Sequence, residues 1–181
     1  YHYPVPALNK QPVREQNNDS ALIARLELRA SVLAEIRAFF DEAGFLEVQT
    51  PILLNTPGQE THIRPFETEY DARDTGPRTC YLVTSAEHHM KRLLGFGCQR
   101  IFQIGSCFRD GESSSMHLPE FTMVEWYRTE AGYLEVAADT EEMIRRLSMK
   151  VFGKTELSTA GGGVDLAAPW QYLSVSEAFV A

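Results

Sequence analysis

The chain has 181 residues, 44% of them hydrophobic, which suffices for one ordinary core and argues for a single globular unit over a string of modules. A formal net charge of −8 excludes a broad phosphate-wrapping surface, because nucleic-acid binding draws its affinity from Lys and Arg, and leaves only a local basic pocket. Cys80, Cys98 and Cys107 form neither CxxC pairs nor a Cys/His cluster, and no apolar run approaches the roughly 20 residues that span a bilayer, so free thiols, a cytoplasmic setting and no membrane are expected.

Residues 1–20 carry three prolines and no periodicity and read as an extended N-terminal arm, with the domain proper over 21–181. From Leu22, the positions Leu26, Leu33, Ile36 and Phe40 recur at helical spacing, and Gly44 stands where a C-cap glycine belongs. Phe45 to Val48 reads as a short strand stopped by Thr50-Pro51, since proline lacks the amide that a central strand donates. Residues 55–79 predict loops and a hairpin. Thr84-Ser85-Ala86-Glu87 has the form of a capping box opening a short helix through Met90, Leu93 and Leu94 to Gly95. Two strands follow, Arg100 to Arg109 and Glu120 to Tyr127, joined by the loop 110–118. Val136, Thr140, Met143, Ile144, Leu147 and Val151 then mark a second long helix closed by Gly153. Residues 154–170 predict a flexible connection, and Ser174 or Ser176 caps a last helix. The chain opens at Tyr1 and closes just inside that helix, so a fragment of a longer protein is expected.

Side chains alternate across a strand. The first of the two strands therefore turns Phe102, Ile104 and Phe108 one way and Gln103, Gly105, Cys107 and Arg109 the other. The second separates Thr122, Val124 and Trp126 from Phe121, Met123, Glu125 and Tyr127. If the strands pair antiparallel, Arg109, Phe121, Glu125 and Tyr127 line a floor on which small Gly105 and Cys107 leave room for a ligand. Phe121 and Glu125 are then roughly 13 Å apart, the size of a nucleotide carrying a small acyl group. An arginine, an aromatic ring and a carboxylate suit a grip on phosphate, stacking of a base and neutralisation of an ammonium. Composition alone fits equally an amphipathic hairpin whose Arg109 and Glu125 form a surface ion pair.

The run Phe108-Arg109-Asp110-Gly111-Glu112, continued by His117-Leu118-Pro119-Glu120-Phe121-Thr122-Met123-Val124-Glu125-Trp126-Tyr127, closely resembles motif 2 of the class II lysyl-tRNA synthetase-like family. Gly44 to Leu53 resembles motif 1, the element through which these enzymes dimerise, and Thr84 to Leu93 resembles the segment between them. The resemblance covers about residues 25–181 and implies an α+β fold, a mostly antiparallel sheet flanked by helices, incomplete here because motif 3 and the magnesium-binding carboxylates lie beyond residue 181. It also implies that Arg109 is catalytic, holding the α-phosphate of ATP, that Asp110, Gly111, Glu112 and His117 belong to the ATP site, and that Phe121 stacks on adenine. Ser85, Glu87, Glu125 and Tyr127 would recognise a lysine-like substrate, with Glu87 also serving as the third member of the capping box. His88-His89 offers no metal site, since neighbouring helical residues diverge by about 100°, and no protein-bound metal is expected.

Two departures from the family pattern stand out. Asp110-Gly111 replaces the usual Asn-Glu after the arginine, with the acid one place later at Glu112, and Leu118 replaces the Asn after the histidine. Only some twenty residues precede the first helix, too few for an anticodon-binding barrel. With the wording around Met90 to Leu94 and Glu125 to Tyr127, this resembles the short branch of the family that activates (R)-β-lysine with ATP and Mg²⁺ and transfers it to a lysine of elongation factor P. Lysine with tRNA as acceptor, or a catalytically silent paralogue, are the alternatives. The resemblance implies a homodimer, and that these 181 residues alone do not complete adenylation.

Overall fold

The structure is a computed structural model, and it describes residues 17–159, 161–167 and 169–180. It holds the helices α1 (Asn17–Glu42), α2 (Glu87–Gly95), α3 (Tyr133–Phe152) and α4 (Val175–Ala178). The strands are β1 (Leu46–Glu47), β2 (Leu53–Leu54), β3 (Glu67–Ala72), β4 (Gly76–Leu82), β5 (Arg100–Phe108), β6 (Glu120–Arg128), β7 (Glu156–Thr159) and β8 (Gly162–Asp165). Three sheets result, in the orders β1-β5-β6, β2-β4-β3 and β7-β8, and every pairing is antiparallel except β1 with β5. The chain is thus α+β with a mostly antiparallel sheet content, as the motifs imply.

α1 begins at Asn17, so residues 17–20 are helical where an arm is expected; the rest of that arm lies outside the described residues. Its apolar stripe reaches the core only in the second half. Ile36, Phe39 and Phe40 are buried, whereas Leu22, Ile23, Leu26 and Leu28 are exposed. Gly44, at φ 74°, takes the left-handed conformation that ends the helix with little steric cost, and Phe45 turns inward beneath it. Phe40, with no exposed surface, is the centre of the core. It stacks on Phe102 at 4.6 Å and meets Phe39, Phe45 and Trp126 at 5.0, 5.2 and 5.4 Å between ring centroids. Met143 and Leu147 of α3 close this cluster from the other side. Arg146 of α3 ties the two helices together through Glu35 and Glu42 of α1.

The greasy face of β5 and β6 therefore lies on α1 and α3, which leaves the opposite face for chemistry. α2 covers one end of it, packing Ala86 and Met90 against Ile101, with Tyr127 beside them. The stretch 154–170 is not an irregular connection: its central part forms the β7-β8 hairpin, Glu156 pairing with Asp165 and Thr159 with Gly162. Ser174 caps α4, its hydroxyl accepting from the Glu177 amide while the Glu177 carboxylate accepts from the Ser174 amide.

Candidate active site

The register of β5 and β6 assembles the site. Ile101 stands opposite Tyr127, Gln103 opposite Glu125, Gly105 opposite Met123, and Cys107 opposite Phe121, so the odd-numbered residues of both strands share the face away from α1 and α3. Arg109 follows directly, its amide donating to the Pro119 carbonyl at 2.9 Å and closing the neck of the loop 110–118. Its guanidinium carbon sits 5.1 Å over the Phe121 ring. The side chain is only 22% exposed, its nearest carboxylate oxygen is Glu112 Oε1 at a loose 3.7 Å, and its Nε is buried with no hydrogen-bond partner. A buried guanidinium donor without an acceptor is costly, and an incoming phosphate oxygen would satisfy it. The residues present thus fit a phosphate beside Arg109.

Glu125 lies further along the same face and is already engaged. Oε1 accepts from the Ser85 hydroxyl and Oε2 from the Ala86 amide, both at 2.8 Å. The α2 start is consequently capped by a carboxylate from β6, and the predicted capping box is not formed. Thr84 instead turns to Glu60 at 3.4 Å, Ser85 Oγ accepts from the Glu87 amide at 3.1 Å, and the Glu87 carboxylate pairs with Lys91. Burial pushes the Tyr127 phenol well above its ordinary range, and Glu125 and Glu87 push it further. Burial likewise raises the Cys107 thiol to about 11, with Glu125 and Glu60 adding to the effect and Arg109 opposing it. Both groups stay protonated at neutral pH, so the negative charge at this end of the face belongs to carboxylates.

The structure thus brings Arg109, Phe121, Glu125, Tyr127, Ser85 and Glu87 to one face. The space expected above Gly105 is partly filled, because Gln103 leans across it: a Cβ at Gly105 would meet Gln103 Nε2 at 3.1 Å. Cys107 is only 2% exposed, so it forms part of the floor and not an opening. Of the remaining predicted residues, Glu112 stays 3.7 Å from the Arg109 guanidinium, whereas His117, Asp110 and Gly111 lie in the loop beyond this face. His117 is exposed, with Nδ1 2.9 Å from Ser114 Oγ within its own loop. Asp110 pairs with Arg64, Nε to Oδ2 at 2.7 Å, and Gly111 adopts φ 84°.

Arg64 and Glu60 were not singled out in the sequence. Both come from the Pro- and Gly-rich stretch after β2, where no periodicity marks a residue's direction. Glu60, with Gly58, Thr84 and Ser85, lines a cleft of about 280 Å³ beside the start of α2. Among the described residues, no group of three His, Cys, Asp or Glu side chains could hold a metal ion, and no helix is long and apolar enough to cross a membrane.

Comparison with known proteins identifies the family. The family described as tRNA synthetases class II (D, K and N) matches residues 10–181. The lysine–tRNA ligase of Coxiella burnetii (strain RSA 493 / Nine Mile phase I) is 37% identical over 154 residues, which is 85% of this chain and 30% of that protein. The elongation factor P–(R)-beta-lysine ligase of Yersinia enterocolitica is 41% identical over 133 residues, 71% of this chain and 40% of that protein, and the corresponding ligase of Yersinia pseudotuberculosis matches equally. The chain therefore spans well under half the length of these relatives. Matched from residue 10 to its end, the chain belongs to the class II tRNA synthetases (D, K and N).

Proposed function

We propose that the protein to which this chain belongs joins a lysine-type amino acid to AMP at the expense of ATP and then transfers the acyl group to a lysine of elongation factor P. The observation that carries this reading is the Arg109 guanidinium, poised over Phe121 with an unsatisfied buried donor, on the same face as Glu125. In the first half-reaction a carboxylate oxygen of the amino acid attacks the α-phosphorus of ATP, and the bond to pyrophosphate breaks. Arg109 stabilises the charge gathering on the phosphoryl oxygens, Phe121 supplies a stacking surface for adenine, and His117 contacts the outer phosphates. Mg²⁺ accompanies ATP as its counter-ion. Glu125, Glu87 and Tyr127 receive the ammonium groups of the substrate, while Ser85 orients it. In the second half-reaction the acceptor amine attacks the acyl carbon, AMP leaves, and the amine loses its proton. Holding the reactants together supplies much of the rate.

The 41% identity to elongation factor P–(R)-beta-lysine ligases and the net charge of −8, which suits a protein acceptor better than a polyanion, support this choice of acceptor. Transfer to tRNA is the second reading, favoured by the lysine–tRNA ligase match over 85% of the chain. Both place the protein in the cytoplasm. The exposed Leu22, Ile23, Leu26 and Leu28 in the first half of α1 support a homodimer.

The test is amino-acid-dependent exchange of pyrophosphate into ATP by the full-length protein with α-lysine, (R)-β-lysine or neither, followed by transfer to elongation factor P or tRNA. Exchange with (R)-β-lysine and labelling of elongation factor P are expected. Charging of tRNA alone would overturn the acceptor, and no exchange with either isomer would overturn the activity.

A further inference from the structure

Asp110 places a carboxylate directly after Arg109, in a loop that on the reading above receives a polyanion. Glu112 adds a second acid, 3.7 Å from the Arg109 guanidinium. Left alone, Asp110 would set an unbalanced negative charge one residue from the arginine that receives the phosphates. The fold answers with a residue from another segment. Arg64, just before β3, forms an isolated antiparallel bridge to Asp110, whose amide donates to the Arg64 carbonyl at 2.8 Å. The side chains then pair at 2.7 Å. Arg64 Nη2 crosses Gly111 so closely that a Cβ there would meet it at 3.4 Å, and Gly111 at φ 84° is the residue that tolerates both demands.

The Arg64 and Asp110 side chains are 70% and 37% exposed, so the pair adds little to folding stability. Its charge balance nevertheless sits one residue from the phosphate-binding arginine, where a highly charged nucleotide would sense it. We infer that Arg64 is a positioning residue for nucleotide use: by engaging and neutralising Asp110, it removes a repulsive charge beside the phosphates that Arg109 receives. This rests on the adenylation reading above. It also accounts for how the chain accommodates an acid at position 110 within a phosphate-binding loop.

The experiment measures pyrophosphate exchange by the full-length protein over a range of MgATP, with the amino acid that supports exchange held saturating. Arg64→Ala is expected to raise KM for ATP about fivefold, the scale of one solvent-screened charge, while changing KM for the amino acid little. Adding Asp110→Asn to Arg64→Ala is expected to return KM for ATP to within about twofold of the wild type, because the acid needing a partner has gone. Arg64→Lys, which keeps the charge, should stay nearer the wild type than Arg64→Ala. An unchanged KM for ATP in Arg64→Ala, or a double variant no better than the single one, overturns the inference. Should Arg64→Ala fail to fold, recovery of folding and KM in the double variant still supports it, and a double variant that also fails overturns it. Absence of exchange in the wild type would instead refute adenylation itself, so the two failures are distinct.

Discussion

Replacing Glu125 tests whether a β6 carboxylate holds the start of α2. Glu125→Ala removes both acceptors at once, leaving the Ala86 amide and the Ser85 hydroxyl without their 2.8 Å partners. A hydrogen bond to a charged group contributes roughly 1.5–3 kcal/mol and an N-cap about 1 kcal/mol; allowing for one donor to find water, the loss is about 2–3 kcal/mol. The free energy of opening α2 falls by the same amount, so amide protection in α2 drops by roughly 30-fold to 160-fold. Glu125→Gln keeps an oxygen for the Ala86 amide but turns an NH₂ toward Ser85 and drops the charge, for a loss of about 1 kcal/mol. Hydrogen exchange read by mass spectrometry on peptides from residues 86–95 measures this directly, with peptides from α3 as the internal reference. Wild-type protection of α2 in Glu125→Ala would refute the reasoning and leave the local Ser85–Glu87 contact as sufficient.

Three further outcomes follow from the same structure. Cys107, raised to about 11 by burial, should resist iodoacetamide at pH 8 and react progressively faster as the pH climbs toward that value, as peptide mapping of the alkylated protein will show. Phe40→Ala removes the ring at the centre of the aromatic cluster, and urea unfolding should report a loss of about 3–5 kcal/mol. The Arg146 guanidinium, hydrogen bonded to Glu42, holds that carboxyl below its usual value of 4.5, so the pair's stabilisation is complete above that value and is lost as the pH falls through the depressed one. Thermal melts of wild type and Glu42→Gln should therefore differ at neutral pH and converge in acid.

The two central strands were legible because alternation at 100–108 and 120–128 separates Phe102, Ile104, Val124 and Trp126 from Gln103, Cys107, Phe121 and Glu125 without ambiguity, and a one-residue slip would expose the entire apolar set. Spacing also revealed α1 and α3, although α1 runs further toward the N-terminus than its buried stripe requires. The start of α2 was misread for a definite reason. A capping box is a local rule, whereas the acceptor used here comes from Glu125, some forty residues away. The β7-β8 hairpin escaped notice because its residues are almost wholly exposed and Gly-rich, leaving no apolar alternation to detect. Nor does any periodicity aim Arg64 at Asp110. The unusual acid after Arg109 was visible, but its partner was set by tertiary folding alone.

The most direct test of the site is a crystal structure of the full-length protein with a non-hydrolysable lysyl-adenylate analogue. Adenine should stack on Phe121, the phosphate mimic should engage Arg109, and the substrate amine should lie toward Glu125 and Glu87. An analogue bound elsewhere, with Arg109 still resting over a bare Phe121 ring, would contradict the account.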